Sequence, residues 1–190
     1  MQIILLDTRS FRAPLRHHPC GRSNRGTYVP DPDPSETLLG AAQWDWLAKV
    51  LREPAELRLV VSSIQVLADG HGWERRGNLP RERDRLFALI AETKANSVVF
   101  LSGDRHRATI YRDATKGDVP FVEITSSSMN MPFDDPDERG PHQLAAMYGK
   151  ENFGVIDIDW ETCRVALVLR GLDGAVVRTR DIALDALARD

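Results

Sequence analysis

The stretch VVFLSGDRHRATI, residues 98–110, is an apolar run that ends in a glycine followed by charged residues. The run predicts a buried strand over residues 97–102, and Gly103 marks its end. Asp104 and His106 follow one residue apart, so both side chains can face the same side of a strand or tight turn. Because α/β folds tend to keep their chemistry at such strand ends, these two residues are the first candidates for a functional site.

The Gly-Asp-x-His element suits a metal site, since an aspartate oxygen and a histidine nitrogen are common ligands for Zn, Mn and Fe. A surface turn with a hydrogen-bonded histidine is an equally good interpretation of the same four residues. The tetrapeptide alone therefore leaves both alternatives open.

The residues before this strand alternate between helix and strand patterns. GAAQWDWLAKVLRE (residues 40–53) and PRERDRLFALIAETKA (residues 80–95) have apolar residues at helical spacing, the second with a proline at its start. LRLVVSSIQVL (residues 57–67) and QIILLDTRS (residues 2–10) predict buried strands, and Asp7 and Arg9 are expected to form a buried ion pair. This alternation predicts an α/β sheet covered by helices.

The last third of the chain changes to β structure. PFVEITSSSMNM (residues 120–131) predicts a short strand, and residues 130–150 predict a loop rich in Pro, Asp and Gly. NFGVIDIDW, CRVALVLRG and AVVRTRDIAL predict three successive strands, and LDG at residues 172–174 is typical of a hairpin turn. The C-terminus is therefore expected to be an antiparallel β-hairpin.

Composition limits the class of protein. The chain has 190 residues, 42% of them hydrophobic and 28% charged, with a formal charge of −3. These values fit one globular domain, predict no membrane span, and give no reason to expect nucleic-acid-specific binding. No targeting signal is recognisable, which favours the cytoplasm by default, or the periplasm or secretion if an N-terminal part is missing.

Seven motifs in order resemble the C-terminal half of the PhoD-like alkaline phosphatases. They are LLDTRSFR, LLGAAQWDWL, VSSIQVL, WERRGNLPRERDRL, LSGDRH, EITSSSM and NFGVIDIDW. A competing resemblance, to calcineurin-like metallophosphoesterases, begins with Asp69-x-His71. It fails further along the chain, which lacks the G-N-H and G-H-x-H elements of that family.

The PhoD-like resemblance implies a four-layer αββα sandwich that uses metal ions (Fe, Ca, Mn or Zn) to hydrolyse phosphate mono- or diesters. It implies that Asp104 and His106 are metal ligands, and that the loop carrying His71, Glu74 and Arg81 contributes catalytic residues. Turn formation or surface ion pairs are the alternative for that loop. Arg81 and Arg105 could bind a substrate phosphate through bidentate contacts, or could simply be solvated.

The chain also departs from the family pattern. No G-D-x-x-Y or D-D-H element, which would supply further metal ligands, precedes residue 1. Residues 1–190 are therefore expected to be the C-terminal part of a single domain whose N-terminal part is absent. The alternative hypothesis is a non-catalytic half-domain, active only with a complementing N-terminal segment. Either hypothesis predicts that residues 3–6 and 59–66 expose apolar surface.

Overall fold

The structure is a computed structural model that describes residues 1–21, 26–134 and 138–188. Two helices lie in the first half: α1 (Ala41–Val50) and α2 (Pro80–Glu92). Eight strands follow the order β1 (Gln2–Leu5), β2 (Arg58–Ser62), β3 (Val98–Ser102), β4 (Ala108–Asp113), β5 (Phe121–Ser126), β6 (Asn152–Asp159), β7 (Arg164–Gly171) and β8 (Val176–Ala183). Short 3₁₀ turns occupy Arg76–Asn78 and Leu184–Leu187. None of the helices in the described ranges is long and apolar enough to cross a membrane.

Five strands form a mixed sheet in the order β1-β2-β3-β5-β4. β1, β2, β3 and β5 are parallel, and β4 is antiparallel to β5. The predicted helix–strand alternation over residues 40–103 is confirmed. β4 was not predicted. Its apolar residues begin only a few positions after β3 ends, so the sequence pattern did not mark them as a separate strand.

The second sheet is the predicted C-terminal antiparallel structure, in the order β6-β7-β8. The turn between β7 and β8 contains Gly174 at φ +80°, a left-handed conformation that glycine adopts without a steric penalty. The hairpin predicted from the LDG tripeptide is confirmed.

Two hydrophobic cores lie on opposite faces of the five-stranded sheet. On one face, α1 and α2 pack Trp44 and Phe87 against a cluster that includes Phe100. On the other face, the second sheet packs Leu167 against a cluster that includes Ile124. The described residues thus form three layers, helices, sheet and sheet, which confirms a mixed α/β fold. The fourth, helical layer of the expected sandwich is not among the described elements and stays a prediction.

The second sheet does not cover the β1 side of the first sheet. Leu5, Val61, Leu101 and Ile124 are neighbours in one cross-strand row on that face. Leu5 is 68% exposed, Val61 and Leu101 are half-buried, and Ile124 is 4% exposed. The prediction of a buried first strand is therefore wrong: β1 is an edge strand that buries one face only.

The predicted exposure of apolar surface is confirmed for β1, where Ile3 is 59% exposed. The same prediction is wrong for most of residues 59–66, where the buried apolar residues are Leu59, Val60, Ile64 and Val66. The difference follows from position: β2 lies between β1 and β3, and its segment continues under the helices.

Candidate functional site

The turn between β3 and β4 separates the four consecutive polar residues 104–107 into an outer group near the surface, begun by Asp104 and His106, and an inner, buried group, begun by Arg105 and Arg107. Asp104 is exposed and His106 is half-buried, whereas Arg105 and Arg107 are buried. Asp104 has φ +69° and His106 has φ +54°, a left-handed backbone that costs most residues about 1 kcal/mol or more. Two such residues in one short turn are backbone strain of the kind that clusters at functional sites.

The outer group joins the ends of β1 and β3 to the loop 68–79. The Nη1 atom of Arg9 donates to the Glu74 carboxylate at 2.8 and 3.1 Å, and Nη2 lies 3.6 Å from Asp104 Oδ1. Arg12 also forms an ion pair with Glu74. The structure therefore brings the predicted residues Glu74 and Asp104 together through Arg9.

The expected buried ion pair between Asp7 and Arg9 is wrong. Asp7 Oδ1 accepts hydrogen bonds from the backbone N–H groups of Arg9 and Ser10, and both Asp7 and Arg9 are exposed. The reason is local: a carboxylate can cap the turn that follows its own strand, which leaves the guanidinium free to reach Glu74.

His106 is held by a different segment of the chain. Its ring stacks on Phe133 with centroids 4.4 Å apart, and Nδ1 lies 2.6 Å from the Met131 carbonyl oxygen. Since a carbonyl oxygen only accepts, Nδ1 carries a proton, and in the neutral ring Nε2 then carries the lone pair. A histidine fixed in this way presents Nε2 as a pre-oriented ligand or hydrogen-bond acceptor.

The inner group lies beneath this surface. Arg105 Nη2 and Arg107 Nη1 both donate to Oε2 of Glu138, the latter at 2.9 Å. All three side chains are close to nine-tenths buried or more. The pair of buried cations thus shares one carboxylate from the loop after β5, and this contact ties that loop to the β3–β4 turn.

His71 belongs to the inner group. The Trp73 N–H donates to Nδ1, so the proton lies on Nε2, which donates to Gln65 Oε1 at 3.0 Å. Gln65 in turn donates to the Tyr111 hydroxyl and to Thr125. Burial, and then the charge of Arg105 with its neighbouring arginines, lowers the pKa of His71 to about 2. This geometry favours a positioning role for a neutral His71 over proton transfer.

Arg81 lies apart from both groups. Its Nε atom donates to the Pro32 carbonyl oxygen at 2.8 Å, in an exposed position at the start of α2. No contact between Arg81 and the other predicted site residues is present in the described parts of the chain.

The described residues contain no cluster of three or more His, Cys, Asp or Glu side chains suited to a metal ion. Catalytic metal centres take about three or more protein ligands, so these residues do not fit a complete centre. What they offer is a partial ligand set, Asp104 and His106, in which the hydrogen bond at Nδ1 orients the His106 ring.

Sequence reasoning missed Arg9, Arg12 and Glu138 as members of these groups. Arg9 and Arg12 follow the first strand in LLDTRSFR, so the strand-end rule applied to Asp104 would have drawn attention to them. Glu138 lies in an acidic loop with no distinguishing pattern, and no sequence signal identifies its partners.

The family model of the PhoD-like phosphatases matches residues 1–159. The chain belongs to the PhoD-like phosphatase family. A solved structure of PhoD matches with a TM-score of 0.76 at 17% identity, which supports the fold. That match covers 98% of this chain and 40% of the solved chain, so the present chain spans well under half of its solved relative. No curated protein matches the chain.

Proposed function

We propose that residues 1–190 are the C-terminal portion of a single metal-dependent phosphoesterase domain that hydrolyses phosphate mono- or diesters. Asp104 and His106 are the metal ligands that this chain contributes. A complementing N-terminal segment supplies the other ligands, and the complete assembly forms the four-layer αββα sandwich. Family membership supports the phosphoesterase class, and the identity of the metal is left open among Fe, Ca, Mn and Zn.

One observation supports placing the proposed site at the turn between β3 and β4. The β3–β4 turn holds Asp104 and His106 in left-handed conformations and turns Arg105 and Arg107 inward. A chain under selection for stability alone has no need of two strained, partly exposed polar residues at the end of a buried strand. The strain is consistent with a turn shaped to present these two side chains to a ligand.

Two features support a complementing segment. The described residues lack a three-ligand cluster, which a metal site would need. The β1 edge also exposes Ile3 and Leu5 on the face where the second sheet stops short. Contiguous apolar surface of this kind is typical of an interaction face.

The other predicted catalytic residues act mainly by positioning. Glu74 holds Arg9 and Arg12 at the β1 end, and His71 fixes Gln65 beneath the turn. Arg81, bound to the Pro32 carbonyl, has a catalytic role only if its side chain leaves that partner.

The alternative function is a non-catalytic chain that is inactive by itself and gains activity only with the complementing segment. The missing third ligand favours this alternative for the 190-residue polypeptide. Both hypotheses share the phosphoesterase site, and both need ligands from outside residues 1–190. They differ in whether those ligands belong to the same polypeptide, as we propose, or whether residues 1–190 form a truncated half-domain that must be complemented.

Turnover of bis(p-nitrophenyl) phosphate tests the proposal. We expect residues 1–190 to show no metal-dependent turnover with Mn, Zn, Fe or Ca. A longer polypeptide that includes the sequence encoded immediately upstream of residue 1 should gain metal binding and turnover together. His106→Ala should then remove most of that turnover, about 100-fold or more, whereas the exposed control His18→Gln should keep it.

Two results would contradict the proposal in different ways. Metal- and His106-dependent turnover by residues 1–190 would show that no complementing segment is needed. A longer polypeptide that binds metal yet hydrolyses neither the diester nor p-nitrophenyl phosphate would refute the phosphoesterase assignment.

A further inference from the structure

We propose that Arg9 and Arg12 form the anion site that binds the phosphate group of the ester substrate. This inference rests on the proposed function for the class of ligand, but the site is defined by contacts at the end of β1. It replaces Arg81 and Arg105, the two arginines that the sequence offered as candidates for this role.

Charge balance is the first argument. Arg9 and Arg12 share a single carboxylate, Glu74, and Arg9 also lies 3.6 Å from Asp104. The Arg9–Asp104 distance is too long for a hydrogen bond, so Glu74 is the one carboxylate that both guanidinium groups contact directly, and one of the two positive charges is only loosely compensated. The two arginines also repel each other: burial, followed by the charge of Arg9, lowers the pKa of Arg12. A phosphate anion placed between them relieves that repulsion.

Exposure is the second argument. The Arg9 side chain is 54% exposed and that of Arg12 is 22% exposed, so Arg9 is open to an incoming anion and Arg12 is partly so, since its Nη1 atom is buried. Glu74, only 16% exposed, holds them from beneath. A planar guanidinium matches two phosphate oxygens at once, and an arginine already held by a carboxylate loses less conformational freedom on binding.

The two candidate arginines from the sequence, Arg81 and Arg105, each lack either exposure or proximity to Asp104. Arg105 is 8% exposed, and its guanidinium is bound to Glu138. Arg81 is bound to the Pro32 carbonyl, and no contact joins it to Asp104 in the described parts of the chain. Arg9 combines exposure with direct proximity to a candidate metal ligand, as expected of a group that positions a phosphoryl oxygen.

Titration with inorganic phosphate tests the site without requiring turnover or metal. Binding is measured by calorimetry on residues 1–190, with chloride matching the ionic strength. We expect a dissociation constant on the order of 1 mM for the unmodified chain. Arg9→Ala and Arg12→Ala should each weaken binding about tenfold, and Arg9→Lys about threefold, because lysine keeps the charge but loses the planar fork.

The matched control is Arg52→Ala. Arg52 is an exposed arginine after α1, whose last turn contacts the amino end of β1 at Gln2, and it bonds to the Ala48 carbonyl. Its replacement should leave phosphate binding within about twofold. Since Arg12 is partly buried, Arg12→Lys serves as the second variant, and thermal unfolding of every variant checks that it is folded.

The outcomes separate the anion site from the phosphoesterase assignment. If the folded Arg9 and Arg12 variants bind phosphate as well as the unmodified chain, or if Arg52→Ala loses as much, the anion site is refuted. The same holds if the unmodified chain binds no phosphate at 20-fold the expected dissociation constant, about 20 mM. If Arg9 and Arg12 govern binding while the longer polypeptide shows no turnover, the anion site stands and the phosphoesterase assignment fails.

Discussion

The two sides of the β3–β4 turn use the same residue types for opposite purposes. On the inner side, Arg105 and Arg107 are buried against Glu138, and burial together with the neighbouring arginine charges keeps His71 neutral. On the outer side, Arg9 and Asp104 are accessible to solvent, and their ion pair is long. Buried charges are costly to leave unpaired, whereas exposed pairs contribute little to stability. The inner group should therefore determine whether the turn forms, and the outer group what it binds.

The largest expected effect comes from the inner group. Glu138→Ala leaves the buried Arg105 and Arg107 without their shared carboxylate, and should lower the free energy of unfolding by about 3 to 5 kcal/mol. Urea unfolding at pH 7 measures the change. The exposed control Glu161→Ala should change it by less than about 0.5 kcal/mol. A loss below about 1 kcal/mol for Glu138→Ala would show that the inner arginines do not depend on this residue.

The second largest expected effect is a loss of folding stability at acid pH, caused by His71. The pKa of His71 is lowered to about 2 in the folded chain, against about 6.5 when unfolded. Below pH 6.5 the unfolded state binds a proton that the folded state does not, so stability falls as the pH falls. By pH 5 the loss from His71 is about 2 kcal/mol.

His71→Gln tests this pH dependence, because its amide can still donate to Gln65 and accept from Trp73. Urea unfolding at pH 7.5 and pH 5 should show a smaller loss for His71→Gln than for the unmodified chain, by about 2 kcal/mol. The exposed-loop control His18→Gln should keep the original dependence. Equal pH dependence in the unmodified chain and His71→Gln would mean that His71 titrates normally in the folded state.

The smallest stability effect belongs to the outer group. Asp104→Gly should leave the free energy of unfolding unchanged or raise it by about 0.5 kcal/mol, because glycine accepts φ +69° without strain. The control Asp157→Gly, at an exposed position in β6, should lose about 0.5 to 1 kcal/mol. Thermal unfolding compares the two. A loss at Asp104 as large as that at Asp157 would place Asp104 among the residues that stabilise the turn.

Sequence reasoning succeeded where the pattern was local and failed where partners are distant. The strand before Gly103, the helix beginning at Pro80 and the hairpin at Gly174 each follow from neighbouring residues. The Arg9–Glu74 contact spans 65 residues, and the Arg105–Glu138 contact spans 33. Several carboxylates compete for each arginine in the sequence, so only the folded chain decides which pairs form.

Local sequence patterns are enough to predict that apolar residues at periods of two and near 3.6 form strands and helices. They also predict that the polar turn after β3 lies at the carboxyl end of that strand. Tertiary structure alone decided that Arg105 and Arg107 turn inward while Asp104 turns outward, and that β1 buries one face only. The difference arises from the sequence separation over which each interaction acts. Local conformation depends on neighbouring residues, whereas burial and charge pairing depend on which distant segments the fold places above each strand.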